Sequence, residues 1–146
     1  MTAKSTLTLN EQLCFPVYGS TRIISRLYQP VLAKLQLSYP EYLVMLTLWE
    51  NREVNIGQIR RQLYLNKESL MPILNSLQQK DFISIKEQTP DALETKIHIT
   101  KTGKALKTRA KRIPFSLSRV LNTPVEELGS MQLLIKNFLN RFEKKK

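Results

Sequence analysis

Cysteine is nearly absent from these 146 residues: Cys14 stands alone, so no disulfide can close within the chain. That usage suits a reducing compartment, and the cytoplasm is the expected location. Histidine is equally scarce. His98 alternates with Ile97 and Ile99 and has no partner at ligand spacing, so no metal site is expected. The four glycines form no phosphate-cradling loop, and no Ser/His/Asp set carries a hydrolase signature. Neither an enzyme nor a cofactor is expected on those grounds. No apolar run approaches the ~20 residues of a bilayer span. The opening MTAKSTLTLNEQ has one lysine and no apolar core, so it does not read as a signal peptide, and no membrane partner is expected. Acidic residues are outnumbered, 12 against 23 basic, for a net charge of +11. That excess favours a polyanionic partner.

The charge is unevenly placed. Residues 50–100 hold seven basic and seven acidic side chains, whereas residues 101–146 hold twelve basic ones against Glu126, Glu127 and Glu143. The hydrophobic fraction of 42% and the length fit one domain with a real core. A first helical pattern spans about Glu11 to Lys34, with Pro16 and Pro30 expected to kink or break it. Ser38-Tyr-Pro-Glu41 reads as a capping box opening a helix through Trp49. Asn55 caps a short helix with Ile56, Ile59 and Leu63 on one face. Asn66 caps another, whose buried stripe is Leu70, Ile73, Leu74 and Leu77 and whose first turn Pro72 should distort. Phe82–Lys86 and Lys96–Thr100 alternate as two strands of a hairpin. Thr102–Arg112 is a basic helical segment, interrupted at Pro114. Thr123-Pro-Val-Glu126 reads as a further capping box. The helix after it puts Leu128, Met131, Leu134, Ile135, Phe138, Leu139 and Phe142 close to one face. That is more apolar surface than so thin a domain needs, and burial against a second subunit would account for it.

This order is that of a winged helix-turn-helix: α+β, mostly α, within one domain over 1–146. About 38–100 form the winged motif, with residues 55–64 and 66–80 as the helix pair and 82–100 as the wing. About 7–37 and 102–146 form dimerisation helices. In such a motif the second helix of the pair enters the major groove and the hairpin reaches the minor groove. The plain alternative is an α+β core without any ligand.

The residues then resemble a known family. Gln12-Leu-Cys-Phe15, Tyr39-Pro-Glu-Tyr-Leu-Val-Met-Leu-Thr-Leu-Trp-Glu50, Leu63-Tyr-Leu65, Leu70-Met-Pro-Ile-Leu74 and Ile99-Thr-Lys-Thr-Gly103 are similar to the organic-hydroperoxide-resistance branch of the MarR regulators. The similarity runs from about Leu7 to Phe142, and its specific part is Tyr39–Glu50. The resemblance implies a homodimeric DNA-binding transcription regulator on a double-stranded operator. It also implies that Tyr18, Tyr28 and Tyr39 converge on the Cys14 thiol, partly across the dimer. Phenolic O–H groups can donate to a thiolate, and a thiolate attacked by peroxide becomes a sulfenic acid. With no second cysteine, that acid would need an external low-molecular-weight thiol. On composition alone, a lone cysteine is more often an inert buried residue.

For DNA, the second helix of the pair offers Asn66, Lys67, Ser69, Asn75 and Ser76, and the wing offers Lys86 and Lys96. Each of these is also what a solvated surface would carry. The family's wing usually ends in Asp-Glu-Arg; this chain reads Asp91-Ala-Leu-Glu94, so Leu93 takes the arginine's place. A leucine cannot exploit the negative potential of a narrow minor groove, so weaker or differently specified binding is expected. The basic run Lys101, Lys104, Lys107, Arg109, Lys111 and Arg112 either compensates on phosphates or is a solvated helix face. Two other readings follow: a MarR-type regulator of a small phenolic effector with a structural cysteine, and a degenerate member acting through protein partners.

Overall fold

The computed structural model describes residues 7–51, 53–86, 89–113 and 119–143. The chain forms two compact units, Met1–Lys111 and Arg112–Lys146.

In the first unit a 3-10 turn, Leu9–Glu11, precedes α1, Cys14–Ala33. The helix begins three residues later than the periodicity suggests and is unbroken through both prolines. Pro16 lies in the first turn, where its missing N–H would have had no partner anyway. Pro30 lies in the last turn, where one i→i−4 bond is forgone. Helix α2, Tyr39–Glu50, opens with the expected capping box: Ser38 accepts from Glu41 N, and the Glu41 carboxylate accepts from Ser38 N. Its Tyr42, Val44, Met45 and Leu48 are buried on several sides, so α2 is the central helix around which the unit packs.

Asn55 caps α3, Ile56–Gln62, in a box with Gln58, and Asn66 caps α4, Lys67–Gln79, by accepting from Ser69 N. Helix α4 runs through Pro72 and buries Leu70, Leu74 and Leu77. Strand β1, Val54–Asn55, was not legible in the sequence; two residues are too few for any alternation to register. It extends the foreseen hairpin of β2, Ile83–Ile85, and β3, Lys96–Ile99, into an antiparallel sheet ordered β1-β3-β2. The register pairs Val54 with Ile97 and Ser84 with His98.

Helix α5, Lys101–Ala110, is capped by Thr100. It lies close against Phe82, the residue just before β2. A Cβ built on Gly103 would stand 2.2 Å from the Phe82 carbonyl oxygen, so only glycine fits there. The Trp49 indole donates to the Gly103 carbonyl at 2.9 Å, tying α2 to the same spot.

In the second unit Val125–Glu143 form α6. At Thr123, where a capping box with Glu126 is expected, the hydroxyl donates to Leu121 O, and the Pro124 carbonyl receives Leu128 N. Helix α6 has no buried residue, and Met131, Leu134, Ile135, Phe138 and Phe142 stand exposed at helical spacing along it. Pro114 falls outside the described residues. Among the described residues no helix is long and apolar enough to cross a membrane.

Candidate sensing and DNA-reading sites

Cys14 is the first residue of α1 and is exposed. Tyr18 follows one turn later, 61% exposed, with the Arg22 guanidinium 5.8 Å from its ring centre. Tyr28 lies at the far end of the same helix. Fourteen residues at the helical rise separate it from Cys14 by about 21 Å. There Tyr28 meets Tyr39 of α2, with ring centroids 5.2 Å apart, and Tyr42, at 5.8 Å. The chain therefore joins Tyr28 to Tyr39 and leaves Cys14 and Tyr18 at the other end. Within one chain the three tyrosines do not converge on the sulfur.

The paired phenols are held neutral. Burial pushes Tyr28 up to about 12, with repulsion from ionised Tyr42 and Tyr39 adding to it. Burial raises Tyr39 as well, and Tyr42 is raised by burial and then by Tyr39. All three remain O–H donors throughout the physiological range. Beside Tyr39, a cleft of about 490 Å³ runs along α1 to the start of α2. Arg22, Ser25, Arg26, Gln29 and Ser38 line it, and periodicity gave no sign of it.

On the DNA side, the outward stripe of α4 is Glu68, Pro72, Asn75 and Gln79, all exposed. Lys67 and Ser69 are exposed in the first turn. Asn66 spends its side-chain oxygen on the Ser69 amide as the helix cap. Ser76 needs correction as a DNA-facing residue: its hydroxyl is half-buried and donates to Glu41 Oε1 at 2.6 Å, pointing into the fold. Lys86 is exposed at the end of β2. Lys96 is exposed and forms an ion pair with Glu53 of the β1 edge. That contact holds the Glu53 carboxyl below its ordinary range, first through the Lys96 hydrogen bond and then through its charge.

Leu93 also departs from expectation. It lies in a 3-10 turn, Ala92–Glu94, and is half-buried rather than projecting. A Cβ on Gly57 would stand 3.2 Å from the Leu93 carbonyl oxygen and 3.5 Å from its Cβ. Asn55 Nδ2 donates to Glu94, and Ile56 N donates to Thr95 O, so this part of the hairpin folds back onto the start of α3. The basic run is partly committed too. Lys107 donates to the Trp49 carbonyl near the end of α2, and Arg109 to the Lys34 carbonyl at the end of α1. Both satisfy helix C-termini, as cations there do.

Among the described residues no group of three His, Cys, Asp or Glu could hold a metal ion. The chemistry on offer is thus a thiol, a set of neutral phenols, an arginine-lined cleft and a helix-turn-helix surface.

Comparison with known proteins gives a consistent picture. The family described as transcriptional regulator SarA/Rot matches residues 26–110. The organic hydroperoxide resistance transcriptional regulator of Bacillus subtilis (strain 168) is 32% identical over 95% of each chain. AbfR of Staphylococcus epidermidis is 25% identical, with a TM-score of 0.75 over 94% of each chain. Its reduced form has also been solved bound to DNA, at a TM-score of 0.69. The reduced form of MarR from E. coli shares the fold, with a TM-score of 0.68 at 16% identity over 88% of this chain and 96% of that one.

Proposed function

The chain belongs to the MarR family of winged-helix transcription regulators, in the organic hydroperoxide resistance branch, and from that premise we propose a DNA-binding repressor that senses organic hydroperoxides through Cys14. The observation carrying this reading is an exposed lone thiol at the first residue of α1, on a scaffold alike over nearly its whole length to an organic hydroperoxide resistance transcriptional regulator.

The sulfur and the paired phenols lie too far apart to meet in one chain. A homodimer in which α1 of one copy runs antiparallel to α1 of the other would bring Cys14 to Tyr28 and Tyr39 of its partner. The bare apolar face of α6 supports association of two copies. The neutral phenols would donate to the thiolate, which attacks one peroxide oxygen. The O–O bond breaks, an S–O bond forms, and the alkoxide takes a proton from solvent to leave as alcohol. Sulfur is oxidised by two electrons to the sulfenic acid and the peroxide is reduced. A low-molecular-weight thiol then displaces water to give a mixed disulfide. One equivalent of oxidant is consumed per thiol, so the chain is a sensor, not an enzyme. A DNA-reading role also implies the cytoplasm.

The DNA-contact set is Lys67, Ser69 and Asn75 on α4, with Lys86 and Lys96 on the hairpin. Asn66 acts through the helix cap. Anisotropy titration of the DNA preceding the chain's own gene, with and without one equivalent of cumene hydroperoxide, tests the reading. Oxidation should weaken binding at least about fivefold, as befits a coupling of 1–3 kcal/mol, and Cys14→Ser should abolish the response while binding persists. Equal affinity in both states would end the reading. The cleft beside Tyr39 favours one second reading, a small-molecule effector with a structural cysteine. Under it Cys14→Ser leaves the response to that effector intact.

A further inference from the structure

Glu41 is a buried carboxylate, 4% exposed, at the start of α2 two residues after Tyr39. Three donors from two segments meet on it. Ser38 N donates at 2.7 Å from the capping turn, Ser76 Oγ at 2.6 Å from the last turn of α4, and Lys80 Nζ at 2.8 Å to both carboxylate oxygens. The same Lys80 ammonium donates to the Gln36 carbonyl at 2.9 Å. Gln36 holds a left-handed backbone, φ 58°, in the turn from α1 to α2. Just beyond Lys80, Asp81 is also left-handed, and Phe82 N returns to Leu77 O at 3.0 Å. That bond fixes how α4 ends.

One ammonium thus joins the turn that presents Tyr39 to the end of the helix that reads DNA. Leucine packing between two helices tolerates small sliding. A buried carboxylate gripped by two elements does not, because either element moving alone strands the charge. We propose that Lys80 is a positioning residue which, through Glu41, passes a displacement at the Tyr28–Tyr39 pair to α4. The trigger rests on the sensing reading above; the link itself does not.

Hydrogen exchange on the full-length protein tests the link with and without oxidant. Tyr39→Ala disturbs the α2 turn directly. It should speed amide exchange over residues 76–82 at least about fivefold when Lys80 is present. In a Lys80→Gln background Tyr39→Ala should still speed exchange over 36–42 but add nothing over 76–82. Should Lys80→Gln fail to fold cooperatively, Ser76→Ala, which keeps the ion pair, serves instead: transmission to 76–82 should persist in it, and its loss would move the link to Ser76 and overturn the proposal. Equal acceleration over 76–82 in both backgrounds overturns the proposal. If cumene hydroperoxide changes nothing in the wild type while Tyr39→Ala still transmits, the sensing reading fails and the link stands.

Discussion

At the scale of single residues, the Glu41–Lys80 pair separates what sequence spacing reveals from what only packing reveals. The Ser38–Glu41 box was legible, because a capping box is local and has a fixed spacing of three. Lys80 and Ser76 were not, because their partner lies 39 and 35 residues away. Ser76 consequently read as a surface residue. Burial works against ionised Glu41, but hydrogen bonds from Lys80, Ser76 and Ser38, with the Lys80 charge, outweigh it and hold the carboxyl below its ordinary value of 4.5. A carboxyl depressed on folding contributes stability that is present above its unfolded pKa and lost as pH falls through the folded one. Acid unfolding below about pH 4.5 should therefore be shallower in Glu41→Gln than in the wild type. At neutral pH the two halves of the pair differ. Lys80→Met leaves a buried carboxylate alone and should cost about 3 kcal/mol. Glu41→Gln leaves an ammonium whose side chain is 31% exposed and can turn to water, so it should cost about 1–2 kcal/mol. Urea melts of both variants check the order; a costlier Glu41→Gln would mean that Lys80 is the less solvated partner.

At the scale of elements, the helices and the hairpin were readable because caps and periodicity are written locally: Ser38, Asn55 and Asn66 each start a helix where their side chains predict. What escaped depends on close approach between elements. Nothing local in the basic segment Thr102–Arg112 marks Gly103, yet it lets α5 meet the Phe82 carbonyl. Gly103→Ala must push that backbone aside and should lower stability by about 3 kcal/mol or more, read by thermal melting; a neutral outcome would mean α5 can shift at no cost. The hairpin holds the second such case. Leu93 occupies an arginine's place by resemblance, but it packs on the first turn of α3 instead of reaching outward. Leu93→Arg should therefore loosen the hairpin without strengthening DNA binding, and tighter binding with a steeper salt dependence would contradict the packed geometry. Helix α4 presents Glu68, Pro72, Asn75 and Gln79 outward with no cation among them. Since each neutralised phosphate contributes about 0.9 to the slope of log K against log salt, the slope should be shallower than about −5, the lower end for proteins with 6–10 phosphate contacts. A steeper value would bring Lys101 and Lys104 of α5, with Lys111 just after it, into contact.

At the scale of the whole molecule, the proposed sensing constellation is split by the length of one helix. Tyr28 and Tyr39 stand together, while Cys14 begins the same helix about 21 Å away. No side-chain rotation closes such a gap. A phenol-supported thiol therefore requires a second copy, and that requirement distinguishes assembly across subunits from a sulfur acting alone. Consider one subunit carrying Cys14→Ser and another carrying Tyr28→Phe with Tyr39→Phe. The second keeps its sulfur but not its phenols; the first keeps its phenols but not its sulfur. In a mixed dimer, assembly across subunits restores one complete site, whereas a site confined to a chain stays broken in both copies. The phenylalanine homodimer should oxidise about tenfold more slowly than wild type, the effect of losing roughly one charge-assisted hydrogen bond. The mixed dimer should recover the fast phase at half amplitude, followed by trapping the sulfenic acid in stopped time points. Slow oxidation in the mixed dimer would show that the tyrosine pair does not serve the partner's sulfur. Leu134→Glu, on the exposed face of α6, should separate the copies and slow oxidation to the same degree with both tyrosines in place. Speed and assembly would then rise and fall together, as they must if neither copy holds the sensor by itself.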